Sequence, residues 1–337
     1  MRTGIVTGII AALIAGILVL SSGDVTGPAP FVVLGLANGA IFGLVALGLV
    51  LVYKGTRVFN FAQGEFGTLA AFFLFVAISE DRFGGIGLPY WAGVIVAIAR
   101  AVLVGLLFER IVARPLLSAP RVTVLVATIA TALLCIGLEI LIFRIDPLNL
   151  RGVFKGESAG IFGTKEFFNF PLDPQRQVAI AVLIAFGILL AYFFSRTDLG
   201  LAVLATSQDA FATRVVGIGV ERMSRFIWGG AALLGAIAGI IYVPIVGLLL
   251  PGVMTSNILI PAFTGAVVGG MNSLPGAFVG GVTVGLVQSL SLWAVGHYHI
   301  GERAITEVVP GGEQISVMLV LLLILLARPA GLLGTEA

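Results

Sequence analysis

The side chains able to do chemistry in this sequence are few, and most stand inside or beside apolar runs. Asn60, Gln63 and Glu65 lie together in NFAQGEF, residues 60–66, where Gly64 is expected to interrupt any helix. An ionisable group at membrane depth marks a pathway or gate by default. The other reading places Glu65 at the inner interface, paired with Lys54 or Arg57. Arg100 sits in the middle of WAGVIVAIARAVLVGLLF, residues 91–108. An arginine there costs at least about 2.5–3.5 kcal/mol on insertion scales, so it must face protein or water. Glu139 is the acidic residue well inside a neighbouring run, and an intramembrane Arg100–Glu139 ion pair is expected. His297 and His299 flank Tyr298, but no third histidine or nearby cysteine completes a metal site, so they read as a solvated loop. Glu302, Glu307 and Glu313 read as surface.

The elements that carry these residues are set by composition. The 337 residues are 59% hydrophobic and 11% charged, against about 25% charged in soluble domains. Apolar runs recur along almost the whole chain, which makes an all-α polytopic membrane protein. A net charge of +2 gives no basis for a nucleic-acid partner. Cys135 is the single cysteine, so an intramolecular disulfide is excluded. The sequence has no G-x-x-x-x-G-K-[ST] phosphate loop, no metal cluster and no catalytic triad. The chain is therefore not expected to be an enzyme or to hold a cofactor, and energy for transport must come from another subunit or an ion gradient.

Apolar spans are read near 5–20, 31–53, 64–78, 91–108, 122–142, 177–194, 226–246, 258–270, 276–295 and 314–327. Several are short of the roughly 20 residues of a full crossing, as in broken helices around a transport pathway. With the N-terminus inside, the inner loops hold Arg2, Lys54, Arg57, Arg110, Arg114, Arg121, Arg196, Arg214, Arg222, Arg225 and Arg328. The outer side holds seven basic residues, five of them in the long 143–176 loop. The excess of basic residues inside places both termini in the cytoplasm. Residues 1–30 combine Arg2, an apolar run and Ser21-Ser22-Gly23 as signal peptides do, but the cleavage site is poor and a retained helix is expected.

The spans at 31–142 and 226–337 run in opposite senses, with 143–225 supplying an extracytoplasmic loop, a linking helix and a cytoplasmic loop. The fold is thus an inverted-topology repeat. Gly35, Gly39 and Gly43 open the first half, and Gly235 and Gly239 the second. Such ladders serve close helix packing or a pathway at the repeat interface; both readings stand.

Asp198–Arg225, DLGLAVLATSQDAFATRVVGIGVERMSR, is the long cytoplasmic segment. Asp209 can N-cap a two-turn helix over 210–216, and Gly217 can end it in the left-handed conformation. A helix this short is marginal alone in water and needs a surface to hold it. Ala210, Ala212 and Thr213 are small enough to enter a groove.

FNFAQGEFGTLAAFF (59–73), FERIVARPL (108–116), DLGLAVLATSQDAFATRVVGIGVERM (198–223), PAFTGAVVGGMNSLPGAFVGGVTVGLVQSL (261–290) and ARPAGLLG (327–334) resemble the LivH-type permease of branched-chain amino acid ABC importers. The resemblance runs from about residue 31 to 334. It implies a helical inverted repeat whose cytoplasmic coupling helix docks on a separate ATP-binding subunit. On that resemblance Asp209, Ala210, Ala212, Thr213, Arg214, Gly217 and Ile218 carry the coupling. Asn60, Gln63, Glu65, Thr264 and Asn272 are candidates for the translocation pathway. The implied partners are a second permease, related or identical, two ATPases that hold ATP and magnesium, an extracytoplasmic binding protein, and the bilayer of a bacterial cytoplasmic membrane. Two features depart from the pattern: residues 1–30 are an addition, and Gln63 stands where NFAHGE has histidine. Relatives of the family import urea or short amides, so these remain alternative substrates. A stand-alone channel or ion-coupled carrier is the rival from another class, and a channel has no need of a docking helix.

Overall fold

An apolar run inside a bilayer must satisfy its own backbone, and helices do so within one segment. In the computed structural model the described residues, 29–80, 83–116, 119–152, 166–167, 170–171, 174–208, 213, 215, 217, 219–297, 299–300, 303–304, 310–327 and 331–334, form ten helices. These are α1 (Ala29–Thr56), α2 (Gln63–Ile78), α3 (Tyr90–Phe108), α4 (Arg121–Phe143), α5 (Pro174–Arg196), α6 (Asp198–Gln208), α7 (Val220–Val246), α8 (Ile260–Gly269), α9 (Leu274–His297) and α10 (Gly312–Ala327). A π-helical turn, Glu109–Ala113, extends α3, and another, Thr255–Leu259, leads into α8. Two short antiparallel hairpins pair β1 (Glu166–Phe167) with β2 (Phe170–Pro171) and β3 (His299–Ile300) with β4 (Arg303–Ala304).

Nine of the expected apolar spans coincide with helices; the first, 5–20, lies outside the described residues. Among the described residues six helices are long and apolar enough to cross a membrane: α1, α3 with its π turn, α4, α5, α7 and α9. The segments Gln63–Ile78, Thr255–Gly269 and Gly312–Ala327 are shorter. A 16-residue helix such as α2 spans about 24 Å, less than the roughly 30 Å hydrocarbon core.

Several helix ends have local causes. Gly247 ends α7 with φ +76°, a conformation glycine adopts without a Cβ penalty. The last carbonyls of α8 are taken by the tail: Leu332 N–H donates to Val268 O at 2.8 Å and Leu333 N–H to Gly269 O at 3.0 Å. Thr197 Oγ1 accepts the Gly200 N–H at 3.0 Å and caps α6, a helix the sequence reading did not separate from the elbow. Gly64 does not interrupt the helix; it lies in the first turn of α2, where the backbone of Thr255 packs against it.

Of the six candidate spans, α1 is the most enclosed and α4 and α5 the least. The core is built from α1 against α9, α7, α8 and α5, from α7 against α2 and α3, and from α8 and α9 against each other. The glycine ladders set these distances. Gly39 and Gly43 on α1 meet Gly285 and Gly281 on α9, and Gly239 on α7 meets Gly67 on α2. A Cβ on Gly39 would stand 2.7 Å from Val282 Cα, so the ladder works as a packing surface.

Within the elbow, Thr213 and Val215 are helical and Gly217 has φ +85°. Asp209, Ala210, Ala212, Arg214 and Ile218 lie outside the described residues.

Candidate functional site

NFAQGEF makes a turn and then the first turn of α2, and its polar side chains are spent inward. Asn60, Gln63 and Glu65 are all fully buried. Asn60 Oδ1 accepts the Ala62 N–H at 3.1 Å, and its Nδ2 donates to Gln63 Oε1 at 3.1 Å. Gln63 Nε2 donates to the Ala231 carbonyl of α7 at 2.8 Å. Thr128 on α4 closes the turn from outside, accepting the Phe61 N–H at 3.2 Å.

Two residues after Gln63, Glu65 faces Glu139 of α4, with Thr68 and Thr255 beside it. Both carboxyl groups converge on Gly252, whose N–H donates to Glu139 Oε2 at 3.0 Å. Thr68 Oγ1 accepts the Met254 N–H at 3.3 Å and fixes the 252–255 segment to α2. Both oxygens of Glu65, and Glu139 Oε1, have no hydrogen-bond donor. Both side chains are buried in the interior of the bundle, between α2 and α4.

This arrangement replaces the expected Arg100–Glu139 ion pair and the alternative pairing of Glu65. Arg100 does not pair with Glu139: it is exposed on α3, while Glu139 is 1% exposed and turned to Glu65 and Gly252. Glu65 pairs with neither Lys54 nor Arg57. Arg57 Nη1 donates instead to Asn272 Oδ1 at 2.7 Å, joining the end of α1 to the α8–α9 turn. Phe59 and Phe61 reinforce that junction against Phe263, with ring centroids 5.4 and 5.9 Å away. Of the other pathway candidates, Thr264 is buried and donates to Ile260 O of its own helix at 2.9 Å. The histidines gather no metal-ligating group among the described residues.

A second polar cluster, which the sequence reading missed, ties α3 to α7. The π turn brings Glu109 and Arg114, five residues apart, onto one side, and Arg114 N–H donates to Glu109 O at 2.7 Å. The guanidinium grips Glu109 through Nη2 at 2.8 Å and Nε at 3.3 Å, and reaches Glu221 in the first turn of α7 at 3.1 Å. The Glu109 hydrogen bond holds Arg114 further above its ordinary range. The signal was the Glu-Arg-x-x-x-Arg run in FERIVARPL, but an α-helix would point residues five apart away from each other.

Residues 31–327 match the family described as branched-chain amino acid transport system / permease component. The chain belongs to this family. This permease is 27% identical to the high-affinity branched-chain amino acid transport system permease protein LivH of Salmonella typhimurium over 305 residues, covering 89% of this chain and 93% of that one. It is 29% identical to BraD of Pseudomonas aeruginosa over 314 residues, covering 89% and 94%. A LivH-type relative from Methanocaldococcus jannaschii is 29% identical over 302 residues, covering 87% and 88%. Among solved structures, PsaBC from Streptococcus pneumoniae aligns over 95% of this chain and 97% of its own at 15% identity, with a TM-score of 0.44. The permease is a multi-pass membrane subunit. Its NFAQGE turn, its FERIVARP π turn and residues 331–334 all make contacts that join elements distant in sequence. Gln63, the departure from NFAHGE, bonds protein on both sides, so it acts in the fold.

Proposed function

We propose that this chain is the membrane subunit through which an ATP-driven importer moves branched-chain amino acids across a bacterial cytoplasmic membrane, with both termini inside. The observation that carries this reading is the family match across residues 31–327. The reading includes an inverted repeat of 31–142 and 226–337. In support of it, α2 and α3 pack on α7 as α8 and α9 pack on α1, the relation that two interlocked copies of one unit would have.

In this reading Asp209, Ala210, Ala212, Thr213, Arg214, Gly217 and Ile218 form a coupling helix that docks on an ATPase, which holds ATP and magnesium. Helical Thr213 and Val215 followed by left-handed Gly217 support a short helix that ends there. The Glu109–Arg114–Glu221 contacts lie beside that segment, because Glu221 is in the first turn of α7, four residues after Gly217. The complete importer then contains a second permease, two ATPases and an extracytoplasmic binding protein.

The test is Ala212→Arg in reconstituted vesicles. Insertion should be normal, while ATPase association is weakened or ATP hydrolysis is uncoupled from leucine uptake. Full assembly with coupled uptake in this variant would move a channel or carrier ahead.

A further inference from the structure

α3 presents two faces. Gly93, Ala97, Ala101 and Gly105 are buried, with Gly93 against Leu74 and Ile78 of α2 and Gly105 against Ala232 of α7. Ile95, Ala99, Leu103 and Leu107 repeat that four-residue spacing across the helix and are exposed. Such a row is a ridge that packs into the groove of another helix. Arg100 stands beside this ridge, exposed, with no hydrogen bond or ion pair among the described residues. It lies about 15 Å along the helix from Tyr90, near the middle of a hydrocarbon core roughly 30 Å thick. An extended arginine side chain covers about half of that distance, so snorkelling leaves its guanidinium in hydrocarbon.

The depth and the charge together select what covers this face. Lipid tails offer the guanidinium N–H groups no acceptor. A water-filled pathway does not suit the site, because Val96, Leu103 and Val104, one turn away on either side, are apolar. Protein of another chain remains, and the charge sets its chemistry: a carboxylate inside an apolar helix. A second copy of this chain does not supply it. Among the described residues the acids inside the apolar spans, Glu65 and Glu139, are both buried, and a two-fold dimer through this face brings two Arg100 side chains to one contact. We propose that the exposed face of α3 docks a helix of a second, non-identical membrane subunit, whose aspartate or glutamate meets Arg100. The proposal rests on the importer reading and deepens it, giving the second permease a contact surface and a charge. The pair fixes register, since a slip of one turn leaves both charges unpaired in hydrocarbon.

The experiment uses the full transporter in its native membrane, with a benzophenone amino acid placed at exposed Leu103, and at exposed Leu141 of α4 as the control. Irradiation should join the Leu103 position to a chain of different sequence, at a peptide with an aspartate or glutamate inside an apolar run. After purification through this chain, Arg100→Leu should lower the recovered partner about tenfold or more while this chain stays inserted. Neutralising the mapped carboxylate as well should restore recovery, because both charges are then gone. Arg100→Glu alone should not assemble, and Arg100→Glu with the partner's carboxylate changed to arginine should. Adducts to lipid alone, to a second copy of this chain, or to the same peptide from Leu141 overturn the proposal, as does full recovery of the partner in Arg100→Leu. Failure of the importer reading is separate: the wild-type complex with its binding protein would then take up no leucine on ATP, whether or not the Leu103 adduct forms.

Discussion

Gln63 on α2 donates its side-chain amide to the carbonyl of Ala231 on α7, 2.8 Å away, and accepts from Asn60 at the same time. The bond crosses the two halves of the chain at a point where Gly48 of α1 comes against the same amide. Gln63→Leu should therefore cost about 1–3 kcal/mol, because it strands the Asn60 amide inside the bundle. Gly48→Ala should also destabilise, by driving a methyl group into Gln63 Nε2. The double variant Gly48→Ala/Gln63→Ala should cost less than the sum of its single variants, since truncation removes the clash. Unfolding midpoints in detergent measure this, and strict additivity would refute the contact.

Arg114 serves a buried and an exposed carboxylate, and the two should respond differently. Arg114→Ala leaves Glu109, 0% exposed, without its cation and should lower the unfolding midpoint by about 5 °C or more. Glu221→Ala removes a carboxylate that is 64% exposed and should shift it hardly at all. Equal effects would mean that Arg114 acts through α7 alone.

Arg100 makes no ion pair among the described residues and lies exposed on α3. Arg100→Leu should leave the amount of folded protein unchanged or raised, with no need to neutralise Glu139. Loss of folded protein that is rescued by Glu139→Gln would restore the ion pair.

The carboxyl pair makes a third contrast. Glu139→Gln keeps an acceptor for the Gly252 N–H and adds a donor toward Glu65, so stability should be maintained. Glu139→Ala strands the Gly252 N–H and should cost about 1–3 kcal/mol. Gly252→Ala should also destabilise, since Gly252 has φ +68° and a Cβ there would stand 3.2 Å from Ile136. Thermal unfolding of the purified complex reads all three; a Glu139→Gln variant as unstable as Glu139→Ala would show that Glu65 needs no donor.

The sequence by itself determined nine of the ten described helices and their order. Apolar runs and five separated motifs were enough for nine described spans and for the family, because a membrane segment must be apolar over its own length whatever it touches. It also flagged Asn60, Gln63, Glu65 and Glu139 as unusual, since polar groups at that depth are rare. Only the tertiary structure decided what they face. Arg100 and Glu139 lie on neighbouring helices, and sequence offered them as partners by charge and depth. Rotation of α3 and α4 about their axes, set by contacts such as Gly105 against Ala232 of α7, turned Arg100 out and Glu139 in. The Glu109–Arg114 pair was hidden for a related reason: a π turn realigns residues five apart, and that turn follows from packing and not from helix propensity. Side-chain direction depends on how helices roll against one another, and that roll is set by contacts between residues far apart in the chain.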